Sequence, residues 1–182
     1  MKLVILDRDG VINQDSDTYI KAIDEWVPIP GSLEAIAALS KAGYLVFVAT
    51  NQSGLGRGMF SEIDLANIHQ KMISLVEALG GRIDGVFYCP HLPAENCACR
   101  KPKIGMLDAI AMEFNVKLVG APFIGDSLKD VQAAKAAGCT PMLVRTGKGL
   151  DTIKTARPAD LAGVSVFDDL GAAADYVLGN PR

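Results

Sequence analysis

Apolar, strand-like runs recur at positions 3–6, 44–49, 85–88, 122–124, 141–144 and 164–167, the length and make-up of strands in a buried sheet. Between most of these runs the spacing changes to three or four residues, the period of a helix with one face against a core. The first such segment follows Pro30-Gly31. Ser32 is its expected N-cap, Leu33, Ile36, Ala37 and Leu39 form the stripe, and the helix should stop near Gly43. The second is opened by Ser61-Glu62-Ile63-Asp64, a capping-box spacing with Asp in place of the usual Glu. It carries Leu65, Ile68, Met72, Leu75, Val76 and Leu79 before Gly80-Gly81 ends it. Two more helices are predicted, over 105–114 with Asn115 at the C-terminal end, and from Leu128 toward Ala137. Strands alternating with helices predict an α/β fold, a doubly wound, mainly parallel sheet with helices on both faces.

Three connections, 11–30, 51–60 and 89–104, are long for α/β turns. Each follows a strand, so right-handed crossovers bring all three to the same carboxyl edge of the sheet, where they are expected to build a site. A chain of 182 residues with 49% hydrophobic content has the size of one domain over 1–182. Its formal charge of -3, from 18 Lys and Arg against 21 Asp and Glu, provides no basic field, so no nucleic-acid partner is expected. Met1-Lys2 leads straight into the first strand, without room for a signal peptide, and no apolar run approaches membrane-spanning length. The expectation is a cytoplasmic protein with no membrane partner, a monomer by default.

The candidate chemistry sits at the strand ends. The run Leu3–Leu6 ends in Asp7-Arg8-Asp9-Gly10, which places two carboxylates where α/β sheets bind ligands. Later strands end in Thr50-Asn51 and in Gly125-Asp126 with Asp130 following, and Arg100-Lys101 leaves the loop after the third. Singly, these read as a solvated turn, a strand-ending turn and a helix cap; in this order, at successive strand ends, they read as one centre. The loop 89–102 carries Cys89-Pro90-His91 and Cys97-Ala98-Cys99, three sulfurs and an imidazole within eleven residues. That is a complete tetrahedral zinc set, so a structural Zn²⁺ is expected there rather than disulfides. Cys139 and His69 are expected to be packing residues.

This constellation resembles the haloacid dehalogenase-like phosphohydrolases, whose motifs are Asp-x-Asp, a strand-terminal Thr or Ser, a Lys, and Gly-Asp-x-x-x-Asp. The resemblance covers nearly the whole chain and implies a Rossmann-like core; neither interval that could take a cap domain has room for one. It implies Asp7 as nucleophile, Asp9 as general acid and base, Thr50 and Lys101 as catalytic phosphate contacts, and Mg²⁺ held by Asp7, the Asp9 main-chain carbonyl and Asp126. Asp130 supports that shell. The blocks Thr50-Asn51-Gln52-Ser53-Gly54, Cys99-Arg100-Lys101-Pro102 and Arg145-Thr146-Gly147 are similar to those of the D-glycero-D-manno-heptose-1,7-bisphosphate 7-phosphatases, which serve surface-polysaccharide synthesis. Histidinol-phosphate phosphatases share the zinc loop and are the alternative, as is a non-catalytic phosphate-binding protein on the same fold. A sugar phosphate is thus the implied small-molecule partner. Asp15, Ser16, Asp17, Thr18, Tyr19, Asn51, Gln52, Ser53 and Arg100 are the implied substrate contacts. Arg57, Arg100, Lys129, Arg145 and Lys148 are candidate cations for a second phosphate. One departure is Ser127, where some members place a Lys.

Overall fold

In the computed structural model, residues 2–179 are described. Strands β1 (Leu3–Leu6), β2 (Leu45–Asn51), β3 (Gly85–Cys89), β4 (Pro122–Gly125), β5 (Thr140–Val144) and β6 (Ser165–Phe167) form one parallel sheet in the order β3-β2-β1-β4-β5-β6. Because side chains alternate across a strand, successive residues feed two cores. Val4, Leu6, Val46, Val48 and Ile124 pack under helices α1 (Ser32–Lys41), α3 (Glu62–Ala78) and α7 (Leu170–Val177). Leu3, Ile5, Phe47, Ala49 and Phe123 pack under α4 (Gly105–Glu113) and α5 (Leu128–Ala136). The remaining α-helices among the described residues are the single turn α2 (Ser53–Gly56) and α6 (Gly149–Thr155), with a 3-10 turn at Pro93–Glu95.

The strand readings hold to within two residues, and the capping box at Ser61 and Asp64 forms with both of its hydrogen bonds. Ser32 is not an N-cap. Gly31, at φ 83, takes that place, and Ser32 lies inside α1 with its hydroxyl donating to the Ile12 carbonyl at 2.6 Å. The αL turn needs glycine, which frees the serine to tie the 11–30 loop down. Strand order reverses between β1 and β4, since the chain grows outward to β2 and β3 and then returns. This reversal opens a crevice at the carboxyl ends of β1 and β4, the position of ligand sites in such sheets.

Candidate active site

Asp7 and Asp126 emerge side by side from β1 and β4, the Asp7 amide donating to the Ile124 carbonyl at 2.9 Å. Asp130 joins them from the first turn of α5, and carboxylate oxygens of the three lie within 4.8 Å of one another. Asp130 folds back over Gly125, where a Cβ would stand 2.2 Å from its own, so the Gly of Gly-Asp-x-x-x-Asp is a steric necessity. Its Oδ2 accepts from the Ser127 amide and hydroxyl at 3.0 and 2.6 Å; Ser127 therefore caps α5. Lys101 reaches in from the loop after β3, its buried ammonium 3.0 Å from Asp7, 2.7 Å from Asp130 and donating to the Ala49 carbonyl at 2.7 Å.

Burial dominates the acidity of this cluster. It pushes Asp7 up to about 7 despite the opposing Lys101 charge, and pushes Asp126 up to about 8, with Asp7 and Asp130 adding to the effect. Three carboxylates face one ammonium, which leaves two negative charges uncompensated in a largely buried site. A divalent cation on these hard oxygen donors matches that deficit. The Asp126 carboxylate is also gripped by the loop after β5. Lys148 N donates to it at 2.8 Å, and a Cβ on Gly147 would come within 2.2 Å of it.

The Asp9 carboxylate stands apart from the cluster. It accepts from Arg8, from Asn13 Nδ2 at 2.9 Å and from Gln52 Nε2 at 2.8 Å. Burial alone would raise its pKa, but the Arg8 charge and these donors hold it below the ordinary carboxylate value. Thr50 is buried and accepts from the same Gln52 amide at 3.0 Å. Asn51 exchanges two hydrogen bonds with the Lys101 backbone, at 3.0 and 3.1 Å, so the end of β2 fixes where the lysine enters.

Asp7, Asp9, Thr50, Lys101, Asp126 and Asp130 line a cavity of about 500 Å³ together with Asp15, Ser16, Asp17, Tyr19, Asn51, Ser53 and Arg100. Two expected substrate contacts do not border it. Gln52 is buried with its amide committed to Asp9 and Thr50, and Thr18 faces a neighbouring cleft with Ile20 and Lys21. Of the candidate cations, Arg57, Arg100, Lys129 and Lys148 reach the cavity; Arg145 does not, because it pairs with Asp168 at 2.5 Å. Lys148 spans the mouth to Asp15 at 3.2 Å. Burial, then the charges of Arg100 and Lys148, lower the pKa of Lys129 against the opposing pull of Asp130, as expected where like charges converge.

Beside the cavity, Cys89, His91, Cys97 and Cys99 gather their ligand atoms within 4.8 Å. Sulfur separations of 3.2, 3.4 and 3.5 Å are too long for disulfides at ~2.05 Å and close to the ~3.8 Å edge of a tetrahedron with ~2.3 Å zinc–sulfur bonds. Gly105, the first residue of α4, packs against this loop, where a Cβ would meet the Ala98 carbonyl at 2.6 Å.

Comparison with known proteins agrees with this geometry. The HAD-hydrolase-like family model matches residues 98–173. The chain is 52% identical over 178 residues to the D-glycero-beta-D-manno-heptose-1,7-bisphosphate 7-phosphatase of Bordetella bronchiseptica, covering 98% of each chain. To that of Pseudomonas putida it is 54% identical, covering 98% of this chain and all of the relative. The chain belongs to the D-glycero-beta-D-manno-heptose-1,7-bisphosphate 7-phosphatase family. A crystal structure of the B. bronchiseptica D,D-heptose 1,7-bisphosphate phosphatase, complexed with magnesium and phosphate, superposes with a TM-score of 0.94 at 51% identity, over 98% of this chain and 99% of that one. This chain is a phosphatase on the haloacid dehalogenase-like fold. Among the described residues no helix is long and apolar enough to cross a membrane.

Sequence reasoning missed the two buried partners that grip Asp9 from the side, Arg8 and Asn13, both within the first loop and both fully buried. A charged residue between two acidic ones reads as solvated turn, and only tertiary packing identifies it as a partner. The reading of His69 as a packing residue was likewise incomplete: it is buried and meets Arg8 Nη1 at 3.2 Å through Nε2.

Proposed function

We propose that the chain, acting as one domain with a zinc loop at 89–102, removes the 7-phosphate of D-glycero-D-manno-heptose 1,7-bisphosphate. The carrying observation is the Asp7, Asp126, Asp130 and Lys101 cluster opening into a cavity whose mouth is lined by Arg57, Arg100, Lys129 and Lys148. One phosphate is to be cleaved; the second is a dianion that those cations suit.

Asp7 attacks phosphorus to form an aspartyl-phosphate, and its separation of 3.0 Å from Lys101 supports that role by keeping a cation beside the transferred group. Asp9 protonates the departing alkoxide, then takes a proton from the water that hydrolyses the intermediate. The free Asp9 is held ionised, and the negative charge of a bound phosphate favours the proton it must donate first. Thr50 supplies a hydroxyl to a phosphoryl oxygen. Mg²⁺ would be held by Asp7, the Asp9 main-chain carbonyl and Asp126, and supplies charge neutralisation of the phosphoryl oxygens. Zn²⁺ would be held by Cys89, His91, Cys97 and Cys99. Its role is to anchor the loop whose next two residues are Arg100 and Lys101.

The test is kcat/KM for Mg²⁺-dependent phosphate release from the heptose bisphosphate and from histidinol phosphate. A preference for the heptose of about 10²-fold, equivalent to about 2.7 kcal/mol of transition-state binding, is expected. The reverse preference would assign the chain to the other substrate. Asp7→Asn should abolish release from either while leaving a folded protein.

A further inference from the structure

Arg8 is fully buried, and its guanidinium has two differently used edges. Nε and Nη2 lie 3.1 and 2.8 Å from Asp9 Oδ1, with Nη2 also 3.1 Å from Oδ2. The remaining nitrogen, Nη1, points the other way, to Nε2 of His69 on α3, at 3.2 Å. A guanidinium has only donors, so the imidazole must be the acceptor, neutral and protonated at Nδ1. Burial, and then the Arg8 charge, lower the pKa of His69 to about 3, which keeps the ring in that form. The ring is fixed in turn by packing against Tyr88, with centroids 5.9 Å apart.

We propose that His69 is a positioning residue for catalysis: by accepting from Arg8 it locks the guanidinium in the orientation that holds the Asp9 carboxylate for proton transfer. Removing the acceptor leaves a buried N–H without a partner and lets the guanidinium turn to find one, and the three bonds to Asp9 turn with it. A carboxylate that must meet a leaving oxygen and then a water tolerates little displacement. This inference rests on the acid–base role given to Asp9 above.

The leaving group separates positioning from mere support. An alkoxide leaves a phosphate only with a proton, whereas p-nitrophenolate leaves without one, and kcat/KM reports that first transfer to Asp7 without the later water step. Asp9→Asn should lower kcat/KM far more for the heptose bisphosphate than for p-nitrophenyl phosphate. His69→Phe, which keeps a ring against Tyr88, should show the same selectivity, with a loss about tenfold greater on the sugar bisphosphate. His69→Gln, whose side-chain oxygen can accept where Nε2 did, should recover most of it. Should His69→Phe not fold, His69→Asn, whose amide stops short of Arg8, takes its place. Equal losses on both substrates, no loss, or failure of Gln to rescue would overturn the inference. If Asp9→Asn itself shows no selectivity, the acid–base reading falls and the positioning role with it; if Asp9→Asn is selective and the His69 variants are not, only the positioning role falls.

Discussion

The Lys101 ammonium is buried between two carboxylates and a carbonyl. Burial alone would lower its pKa, yet Asp130 and Asp7 hold it above the ordinary lysine value, so it is charged at any working pH. A charge kept out of water in this way is costly to leave unpaired. Lys101→Met removes the single cation that two buried carboxylates share. The expected result is a loss of about 3 kcal/mol or more in stability and at least about 10²-fold in kcat, read by thermal melting and steady-state assay. A variant within tenfold of the native kcat would show that the lysine serves the fold and not the transferred phosphate. Sequence could name this residue because Arg100-Lys101 leaves the Cys97-Ala98-Cys99 loop at the place where the family pattern implies a Lys. It could not show that Asn51 places it, through two bonds to its backbone, since Asn at a strand end reads equally as a turn residue.

At the scale of elements, the Cys/His loop proposed to hold zinc ties β3 to α4, with Cys89 ending the strand and Gly105 opening the helix beside Ala98 and Cys99. Losing one ligand therefore loosens both neighbours and the entry of Lys101. Cys97→Ser and Cys99→Ser are each expected to lose bound zinc, about 3 kcal/mol or more of stability, roughly 6–12 °C in Tm at this size, and turnover with it. Unchanged zinc stoichiometry and melting in either purified variant would sink the assignment. The six strands and α1, α3, α4 and α5 were legible because each has an apolar run or stripe bounded by turn or capping residues. Helices α6 and α7 were not read. The first is seven residues containing two Thr and a Gly packed tightly under the Val144 carbonyl; the second is eight residues rich in Ala, capped by Asp169 on the Ala172 amide. A helix as short as α6 forms through packing and leaves little periodicity to see, whereas α7 carries a clear apolar face of Leu170, Ala173 and Ala174 that the reading along the chain did not take up. The Gly31 cap was missed for a related reason: Ser is the commoner N-cap, and only the bond from Ser32 to Ile12 reveals its other use.

For the whole molecule, the buried acidic cluster couples folding, pH and metal. Asp7 and Asp126 ionise at an ordinary value of 3.8 in the open chain, but at about 7 and about 8 when folded without metal. Between these limits the folded state holds protons that the unfolded state has released, so stability falls as pH rises. Their contribution is complete below about pH 4 and is lost as pH climbs through about 7 and 8. Binding of Mg²⁺ requires the ionised carboxylates and relieves their repulsion, so stabilisation by the ion must grow over the same range. At a free concentration about 100-fold above Kd the gain is about 2.7 kcal/mol, roughly 5–10 °C for a chain of this length. At pH 5.5 protons occupy the same oxygens and the shift should shrink to a small fraction of that. Melting curves with and without Mg²⁺ at pH 5.5 and 8.5 provide the test, and taking the Mg²⁺-dependent difference at each pH cancels the titration of every group remote from the cation. An equal Mg²⁺ shift at both values would mean that the ion does not bind the Asp7 and Asp126 pair.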